Sequence, residues 1–492
     1  MKKYFILLFL ALLATAFNAY SATLQVTNSN DAGSGSLRER IANANSGDTI
    51  VFGSNVNYIT LTSGQFLITK NLTISGGSGN TRITLDANNT SRIFEMKGDY
   101  TFNINNLTLT KGYAALGIYT TFSGGVLAID SGIITFVATN CDFIQNHADD
   151  AGGVVYINDI YNGFSPPNAT FIATNCIFSG NSANYGGAIF IGTNSTLTLT
   201  NCTFTENAAL LNSGVISIYG SRSILTATNC TFTRNSANAS YASGNGGAMV
   251  IYYGTATATN CTFTKNSANA GGAIAITYYA SFYADNCIFS ENFTTRNWQN
   301  NDGLGGAVII YDNLYSNNLS FTATNCTFNK NSSTDGGAVY MLNGIFTAMN
   351  CTFNENSATN SGGAISSTSN FARNGTYLYH CTFDENQASS SGNAITNAGT
   401  LYSYNCVYTG NTPQIVGNVT AGDNLIEGVN AIVTRNYVFG TNQFNGRYIT
   451  PLPNARAAKK LDNTIQVPAG MSVDEILNKL AKDQRGNPRP IE

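Results

Sequence analysis

A repeat that contains every cysteine of the chain is the feature that most constrains its fold. Ten segments have the same order of cysteine, any residue, aromatic residue, any two residues and asparagine. The aromatic residue is Phe in nine segments and Tyr in the tenth. The cysteines are Cys141, Cys176, Cys202, Cys230, Cys261, Cys287, Cys326, Cys351, Cys381 and Cys406. Recurrence of this kind is typical of architectures in which each structural unit stacks on the next.

Each unit contains three short segments in which apolar residues alternate. One precedes the cysteine, one carries the cysteine and the aromatic residue, and one follows Gly-Gly-Ala, as Ile274 and Ile276 do. A period of two predicts β-strands, and the segments are too short for typical helices. The shortest units, from Cys326 to Cys351 and from Cys381 to Cys406, span 25 residues, which three strands and three turns can fill. The sequence therefore predicts an all-β fold, a right-handed parallel β-helix with three strands per coil and an N-terminal cap.

Stacking explains why the same residues return, because equivalent positions of successive coils lie above one another. Cysteine and the aromatic residue are two positions apart, so both are predicted to point into the core. The asparagine is predicted to occupy a corner, to adopt unusual backbone angles there and to bond the asparagine of the next coil. An even number of cysteines is also compatible with disulfides. Parallel Cβ atoms about 4.8 Å apart favour buried free thiols instead.

Four regions follow from composition and motifs. Residues 1–21 combine two lysines, an apolar run and small residues, which predicts a signal peptide cleaved after Ser21, with an uncleaved anchor as the alternative. Residues 22–75 are predicted to form the N-terminal cap and first strands, and 76–411 the β-helix repeats. Residues 412–492 are predicted to be a C-terminal cap or a tail. No second stretch is long and apolar enough for a transmembrane helix, so none is expected after cleavage.

Two short helices are predicted near the ends. Ser36 and Glu39 have the spacing of a capping box, and Leu37 and Ile41 share one face that could cover the first coil. Gly47 is the predicted stop. Near the other end, "SVDEILNKLAK" begins with a serine suited to cap a helix.

These motifs resemble two families of surface proteins. The FxxN and GGA[I/V] pairing is similar to the repeat of polymorphic outer-membrane proteins, which are surface-exposed and include adhesins. "GSLRERIANANSGDTI" and "DQRGNPRP" are similar to the ends of choice-of-anchor type bacterial surface β-helix proteins. The resemblance implies an exported protein, secreted or held at the cell surface or outer membrane, with the periplasm also possible. A membrane barrel after residue 411 and a sorting segment after the closing motif are not expected here.

Charge and histidine content bear on the classes of function. The net charge is −3 and only 10% of residues are charged, which argues against nucleic acid as a partner. His147 and His380 fall eight coils apart, about 38 Å, so they cannot share a catalytic site. The acidic region of Asp130, Asp142, Asp149, Asp150 and Asp159 contains no Arg or Lys. We expect no cofactor and no metal site, and regard these acidic residues as solvated turns.

A second group of charged residues lies between the aromatic residue and the asparagine of the repeat. Its signs are mixed, which predicts an outward ladder that keeps the surface soluble. The group consists of Glu206, Arg234, Lys265, Glu291, Lys330, Glu355 and Glu385.

Aromatic residues provide the best candidate for a binding site. Several tyrosines fall at outward positions soon after the paired glycines, where they could bind sugars or a protein, although packing on a β-surface is the alternative. The candidates are Tyr219, Tyr252, Tyr253, Tyr278, Tyr279, Tyr311 and Trp298. Trp298 lies in an insertion, 293–304, and another insertion spans 236–245. Loops on a rigid scaffold often carry function.

The sequence thus predicts a non-enzymatic, adhesin-like protein whose partner is a host or cell-surface protein or glycan. The alternative is a polysaccharide lyase or hydrolase of the pectin-lyase-like β-helix class. A cluster of Asp with Arg or Lys on adjacent coils of one face would favour that enzyme.

Overall fold

The computed structural model is a stack of parallel β-coils that begins at Thr23 and continues to Ile426. Its described residues are 21–77, 82–115, 123–129, 132–157, 168–238, 244–295, 303–312, 319–368, 375–410, 414–417, 420–422, 424–426, 438–441, 447–450, 468, 471–472, 475–476 and 478. The predicted signal peptide lies outside them except for Ser21. Each strand pairs in parallel with its equivalent in the preceding and following coils.

Three main sheets, named A, B and C here, run along the stack and confirm the coil with three strands. Sheet A contains the strands that precede the cysteines: Thr23–Val26, Thr49–Phe52, Leu72–Ser75, Thr101–Asn105, Thr135–Thr139, Thr170–Thr174, Thr196–Thr200, Ile224–Thr228, Thr255–Thr259, Ser281–Asp285, Ser320–Thr324, Ile345–Met349, Gly375–Tyr379, Thr400–Tyr404 and Thr420–Gly422. Sheet B contains the strands centred on the repeat aromatic residue: Tyr58–Thr60, Ile83–Asp86, Leu107–Thr110, Asp142–Ile144, Ile177–Ser179, Thr203–Thr205, Thr231–Thr233, Thr262–Thr264, Ile288–Ser290, Thr327–Asn329, Thr352–Asn354, Thr382–Asp384, Val407–Tyr408 and Leu425–Ile426.

Sheet C contains the strands that follow the paired glycines: Phe66–Ile68, Phe94–Met96, Leu127–Ile129, Val155–Ile157, Ile189–Ile191, Ile216–Tyr219, Met249–Tyr252, Ile274–Thr277, Val308–Ile310, Val339–Met341, Ile365–Ser367, Ile395–Asn397 and Ile415–Val416. A fourth, shorter sheet D, which the sequence did not indicate, follows the repeat asparagine: Tyr113–Ala114, His147–Ala148, Ser182–Tyr185, Ala208–Asn212, Ser236–Ala237, Ser267–Ala268, Phe293–Thr294, Ser332–Asp335, Ser357–Ser361 and Gln387–Ala388. Separately, Val438–Thr441 and Arg447–Thr450 pair antiparallel.

The interior contains the predicted columns of thiols and aromatic rings, whereas other inward columns vary, as from Leu225 to Ala256 and Phe282. The rings of Phe232 and Phe263 stack with centroids 4.8 Å apart and planes within 4°, and the same contact continues to Tyr408. All ten cysteines are free and buried. Each thiol has a carbonyl acceptor, as Cys261 Sγ has in Ala227 O at 3.5 Å, and burial raises the pKa of the Cys287 thiol. The thiols therefore act as small apolar groups with satisfied hydrogen bonds.

The repeat asparagines form a buried amide ladder. Asn266 Nδ2 donates to Asn292 Oδ1 at 3.0 Å and to Phe232 O at 2.9 Å, and the pattern recurs along the stack. The predicted unusual backbone angles of these asparagines are wrong. The left-handed conformation falls instead on the residue before each of them and on the residue before each cysteine, as in Lys265 (φ 56°) and Asn260 (φ 55°). The chain turns one residue earlier, so the ladder asparagine can point inward with an ordinary φ.

The paired glycines form the corner that leads into sheet C. The first of each pair is left-handed, as in Gly271 (φ 62°). A Cβ on the second, Gly272, would overlap the carbonyl oxygen of Gly306 and lie 2.7 Å from Phe293 N. Only glycine permits this close approach between successive coils.

A helix, Leu37–Asn43, covers the first coils as predicted. The Ser36 hydroxyl accepts from Glu39 N at 3.2 Å, and the Glu39 carboxylate accepts from Gly35 N at 2.5 Å. Leu37 and Ile41 are buried in the main core. The helix ends before Ala44, so Gly47 (φ 95°) belongs to the turn that follows rather than to the cap. Within the described residues, the structure has no helix long and apolar enough to cross a bilayer.

Candidate functional site

A continuous row of aromatic rings lies on the outer face of sheet C and along its edge. Ring centroids are 5.4 Å apart between Tyr156 and Phe190 and 6.0 Å between Phe190 and Tyr219. The row continues from Tyr219 to Tyr252 at 5.0 Å and from Tyr252 to Tyr278 at 5.3 Å. Because these residues occupy five successive coils, the row is about 19 Å long. We call it the tyrosine row.

The row ends in a corner where three tyrosines have a left-handed backbone. The φ angles are 58° at Tyr253, 50° at Tyr278 and 57° at Tyr279. The Tyr253 ring stacks on Tyr278 at 5.5 Å and on Tyr279 at 6.1 Å. This conformation costs a residue with a Cβ about 1–2 kcal/mol. Large aromatic residues are therefore poor choices for this turn on grounds of folding alone, and such strain clusters at functional sites.

The side chains of the corner are accessible to a ligand. Tyr253 is 40% exposed and Tyr279 is 51% exposed, whereas Tyr219 is 38% exposed. Accessible aromatic surface in this region is therefore concentrated at Tyr219 and at the corner, whereas Phe190 in the row is only 8% exposed.

Tyr311 belongs to the base of this surface rather than to its exposed part. Its hydroxyl accepts from Asn245 Nδ2 at 2.9 Å, and burial raises its pKa to about 12. Tyr311 and Tyr252 pack against an outward apolar cluster of Val250, Ala270, Ala275, Ile309 and Tyr340, all of which are buried. Burial also raises the pKa of Tyr252. These contacts fix the positions of Tyr252 and Tyr311 on the outer face of sheet C.

The structure brings six of the seven sequence-predicted residues to one region, and Trp298 lies outside the described residues. Sequence reasoning missed Tyr156 and Phe190, which extend the row. Their positions two residues after the start of the apolar run in sheet C could have revealed them, since Tyr156 and Phe190 are in register. The left-handed tyrosines had no sequence signal beyond their place at the end of a strand.

The described parts of the two insertions lie beside each other. Thr295 Oγ1 donates to Asn238 Oδ1 at 3.1 Å and to Asn269 Oδ1 at 3.1 Å. Gly303 N donates to Asn269 O at 2.7 Å. The insertions are thus fastened to each other and to the intervening coil near sheet D.

The charged residues of the repeat form an outward ladder, as predicted. Lys265 Nζ lies 3.4 Å from Glu291, Lys330 Nζ lies 3.3 Å from Glu355, and Arg234 lies 3.9 Å from Glu206. These pairs are close to half exposed or more, so each contributes little to stability.

The acidic region differs from its sequence-based interpretation in one respect. Residues 130–159 contain no Arg or Lys, but the fold brings a basic residue next to them. Arg82, from an earlier coil, lies 2.5 Å from the carboxylate of Asp142. Burial of the carboxyl nevertheless raises the pKa of Asp142. Asp130 and Asp159 lie outside the described residues. Among the residues that the structure does describe, no three His, Cys, Asp or Glu side chains group as metal ligands would.

His147 makes the polar contacts most similar to those of a catalytic base. His147 Nδ1 lies 2.8 Å from Ser182 Oγ and His147 Nε2 lies 3.2 Å from Asp149 Oδ1, to which Tyr113 also donates. The backbone N–H of Ser182 donates to Asn146 O within sheet D. That amide is therefore not free to stabilise an oxyanion next to Ser182.

Two family models match the chain. Residues 187–406 match the right handed beta helix region. Residues 175–192 match the Chlamydia polymorphic membrane protein repeat, and this stretch runs from the residue before Cys176 through the paired glycines to the strand of sheet C. None of the curated proteins compared with the chain is significantly similar to it. The chain therefore contains a right-handed parallel β-helix and a stretch similar to the polymorphic membrane protein repeat.

Proposed function

We propose that this protein is an exported, non-enzymatic surface protein that binds a glycan through the tyrosine row. The observation that carries the proposal is the corner of Tyr253, Tyr278 and Tyr279. Three large aromatic residues there adopt a backbone conformation that Gly or Asn would adopt at lower cost. A ligand that stacks on rings and bonds to hydroxyls gives a reason for keeping them.

The chemistry of the row favours a glycan over other partners. Tyr219, Tyr253 and Tyr279 expose apolar ring surface and carry phenolic hydroxyls on three successive coils, which suits a chain of sugar units. A protein partner would use the same rings as anchors and is the alternative outcome of the test below.

The match of residues 175–192 to the repeat of polymorphic membrane proteins supports a location of this protein at the cell surface or outer membrane. The predicted signal peptide agrees with export. The choice-of-anchor resemblance of the two ends stays a prediction, as do secretion and the manner of retention.

The non-enzymatic part of the proposal has its own support. The Ser182, His147 and Asp149 group lies on a strand ladder whose amides are already bonded, and Arg82 is paired with Asp142. The alternative, a polysaccharide lyase or hydrolase, would use these groups. A degradation screen of acidic and neutral polysaccharides tests it, and release of unsaturated or reducing ends that His147→Ala abolishes would establish the enzyme.

The decisive experiment is a glycan array with the mature chain and two variants. Tyr279→Asn removes an exposed ring from the corner, and we expect binding to fall about five- to tenfold, the effect of one stacking contact of about 1–1.4 kcal/mol. Tyr283→Asn is the matched control, because Tyr283 is 42% exposed but lies on the outer face of sheet A. Equal loss in both variants, or binding unaffected by Tyr279→Asn, would refute the proposal.

A further inference from the structure

The outer face of sheet A changes character towards the end of the stack. In the outward column nearest the cysteine, successive coils carry Thr139, Thr174, Thr200, Thr228, Thr259, Asp285, Thr324, Met349, Tyr379 and Tyr404. The neighbouring outward column, which carries Tyr283 in an earlier coil, changes one coil later, from Thr322 and Thr347 to Tyr377 and Tyr402. A polar surface thus becomes an aromatic one within two coils.

This aromatic face is covered. Met349 and Tyr379 point outward but are fully buried, whereas Thr228 and Thr259 of the same column are partly exposed. Burial also raises the pKa of the Tyr379 phenol. Rings of Tyr379 and Tyr404 stack at 5.8 Å, and those of Tyr377 and Tyr402 at 5.1 Å, so the face is continuous.

A segment from near the end of the chain occupies it. Ile476 is fully buried in one apolar cluster with Met349 and Tyr379, and Met471, Tyr377 and Tyr404 pack around them. The segment has the local bonds of a helix start, because Glu475 N donates to Ser472 Oγ at 3.1 Å and Ile476 N to Ser472 O at 3.3 Å. Glu475 is exposed, so the segment is amphipathic. The predicted cap at Ser472 is confirmed, and its place is the side of the stack.

We propose that the aromatic face formed by Met349, Tyr377, Tyr379 and Tyr404 is a docking site for an amphipathic segment, and that its occupant is the part of this chain that carries Met471 and Ile476. Ile476 docks on the aromatic part of the face, and the buried area extends one coil further back, to Thr322 and Thr324. Outward Thr would serve a solvated strand equally well, as it does in the earlier coils. A partner that buries its apolar side gives the reason for Met and Tyr.

The segment that carries Ile476 binds the aromatic face of its own chain in preference to that of another copy. The segment is covalently attached, so its effective concentration at the face is on the order of millimolar. When the segment is removed, the same chemistry lets a free copy of it bind. The face therefore selects for a large aliphatic side chain that packs with Met349 and Tyr379, with a polar residue such as Glu475 exposed.

Oxidation of Met349 by hydrogen peroxide, mapped by mass spectrometry in the full-length protein, tests the proposal. In the Ile476→Asp variant, a buried carboxylate would be costly, so we expect the segment that carries residue 476 to leave the apolar cluster. Met349 then becomes accessible, and its oxidation should accelerate at least about tenfold. Met249 points into the core of the same stack and reports on folding, because it stays protected as long as the coils are intact. Glu475→Gln is the control next to the contact, and Met349 should stay protected in it.

Two further measurements keep the proposal open to refutation. A synthetic peptide covering residues 466–480, added to the Ile476→Asp protein, should restore protection of Met349, and a peptide with Asp in place of Ile476 should not. If Met249 also becomes oxidised in Ile476→Asp, the milder Ser472→Ala variant, which removes only the cap, should still speed the oxidation of Met349 alone. Protection of Met349 in all variants, or no effect of the peptide, would overturn the proposal.

Discussion

The inward side of sheet B and the outward side of sheet C differ in how strictly their residues repeat. On the inward side of sheet B, Phe232, Phe263 and Phe289 are identical and stack with nearly parallel rings. On the outward side of sheet C, Tyr252 is in register with Tyr219 in one direction and with Thr277 in the other. An inward residue must fit copies of itself above and below, whereas an outward residue must satisfy only its neighbours and solvent. Periodicity therefore reports on folding, and departures from it report on function.

This comparison predicts the largest effect for a change at the inner corner. Gly272→Ala places a Cβ against the backbone of the next coil, which must move away. We expect destabilisation of about 3 kcal/mol or more, because backbone rather than a side chain has to yield. The midpoint of thermal unfolding followed by circular dichroism measures it. Gly180→Ala is the control for strain without overlap: a Cβ there meets only Gln145 Cγ at 3.6 Å, but φ is 63°, so we expect a smaller loss of about 1–2 kcal/mol. An equal loss in the two variants would contradict the argument.

The buried amide ladder should give the next largest effect. Asn266→Ala removes the acceptor for Asn235 N and Nδ2, both at 3.0 Å, and leaves these donors unsatisfied inside the stack. The expected cost is about 2–3 kcal/mol. Unfolding midpoints in denaturant measure it, with Asn260→Gly as the comparison. Asn260 is only partly buried and left-handed, a conformation that glycine adopts freely, so its loss should cost less than about 1 kcal/mol.

The same contrast explains what the sequence could predict. Cys261, Phe263 and Asn266 repeat because stacking demands it, so the parallel coil, the free thiols and the amide ladder followed from spacing alone. The position of the left-handed turn did not follow, because Lys265 shows no preference for it and is placed there by the inward demand of Asn266. Sheet D also escaped notice, since most of its strands pair over two residues or little more.

On the outer side, single residues rather than columns carry the information, and prediction was correspondingly weaker. The alternation of inward and outward residues identified the tyrosines near Tyr252. The hydrogen bond from Asn245 to Tyr311 could not be predicted in this way, because Asn245 lies in an insertion that does not repeat. Docking of Ile476 on Met349 joins residues far apart in sequence, and no repeat marks it.

At the tyrosine corner, replacing a large aromatic residue should raise the stability of the protein rather than lower it. Tyr279→Asn relieves a left-handed tyrosine but loses a ring contact with Tyr253 at 6.1 Å. The net change should lie between zero and a gain of about 1 kcal/mol in stability. Tyr283→Asn, in an ordinary strand, should instead lose about 0.5 kcal/mol. Thermal unfolding of both variants checks the difference, and a clear loss at Tyr279 would show that the corner is kept for folding.

The smallest effect is expected for the outward charge ladder. Lys265→Glu replaces an attraction to Glu291 at 3.4 Å by a repulsion, and both side chains are close to half exposed. Because solvent and salt screen charges at such positions, the expected loss is about 0.5 kcal/mol at low ionic strength and should vanish in about 1 M salt. Unfolding midpoints at the two ionic strengths measure it, with Lys265→Gln separating repulsion from loss of the pair. A loss that salt does not reduce would mean that the outer ladder, like the inner one, is constrained by packing, and the distinction between the two sides would fail there.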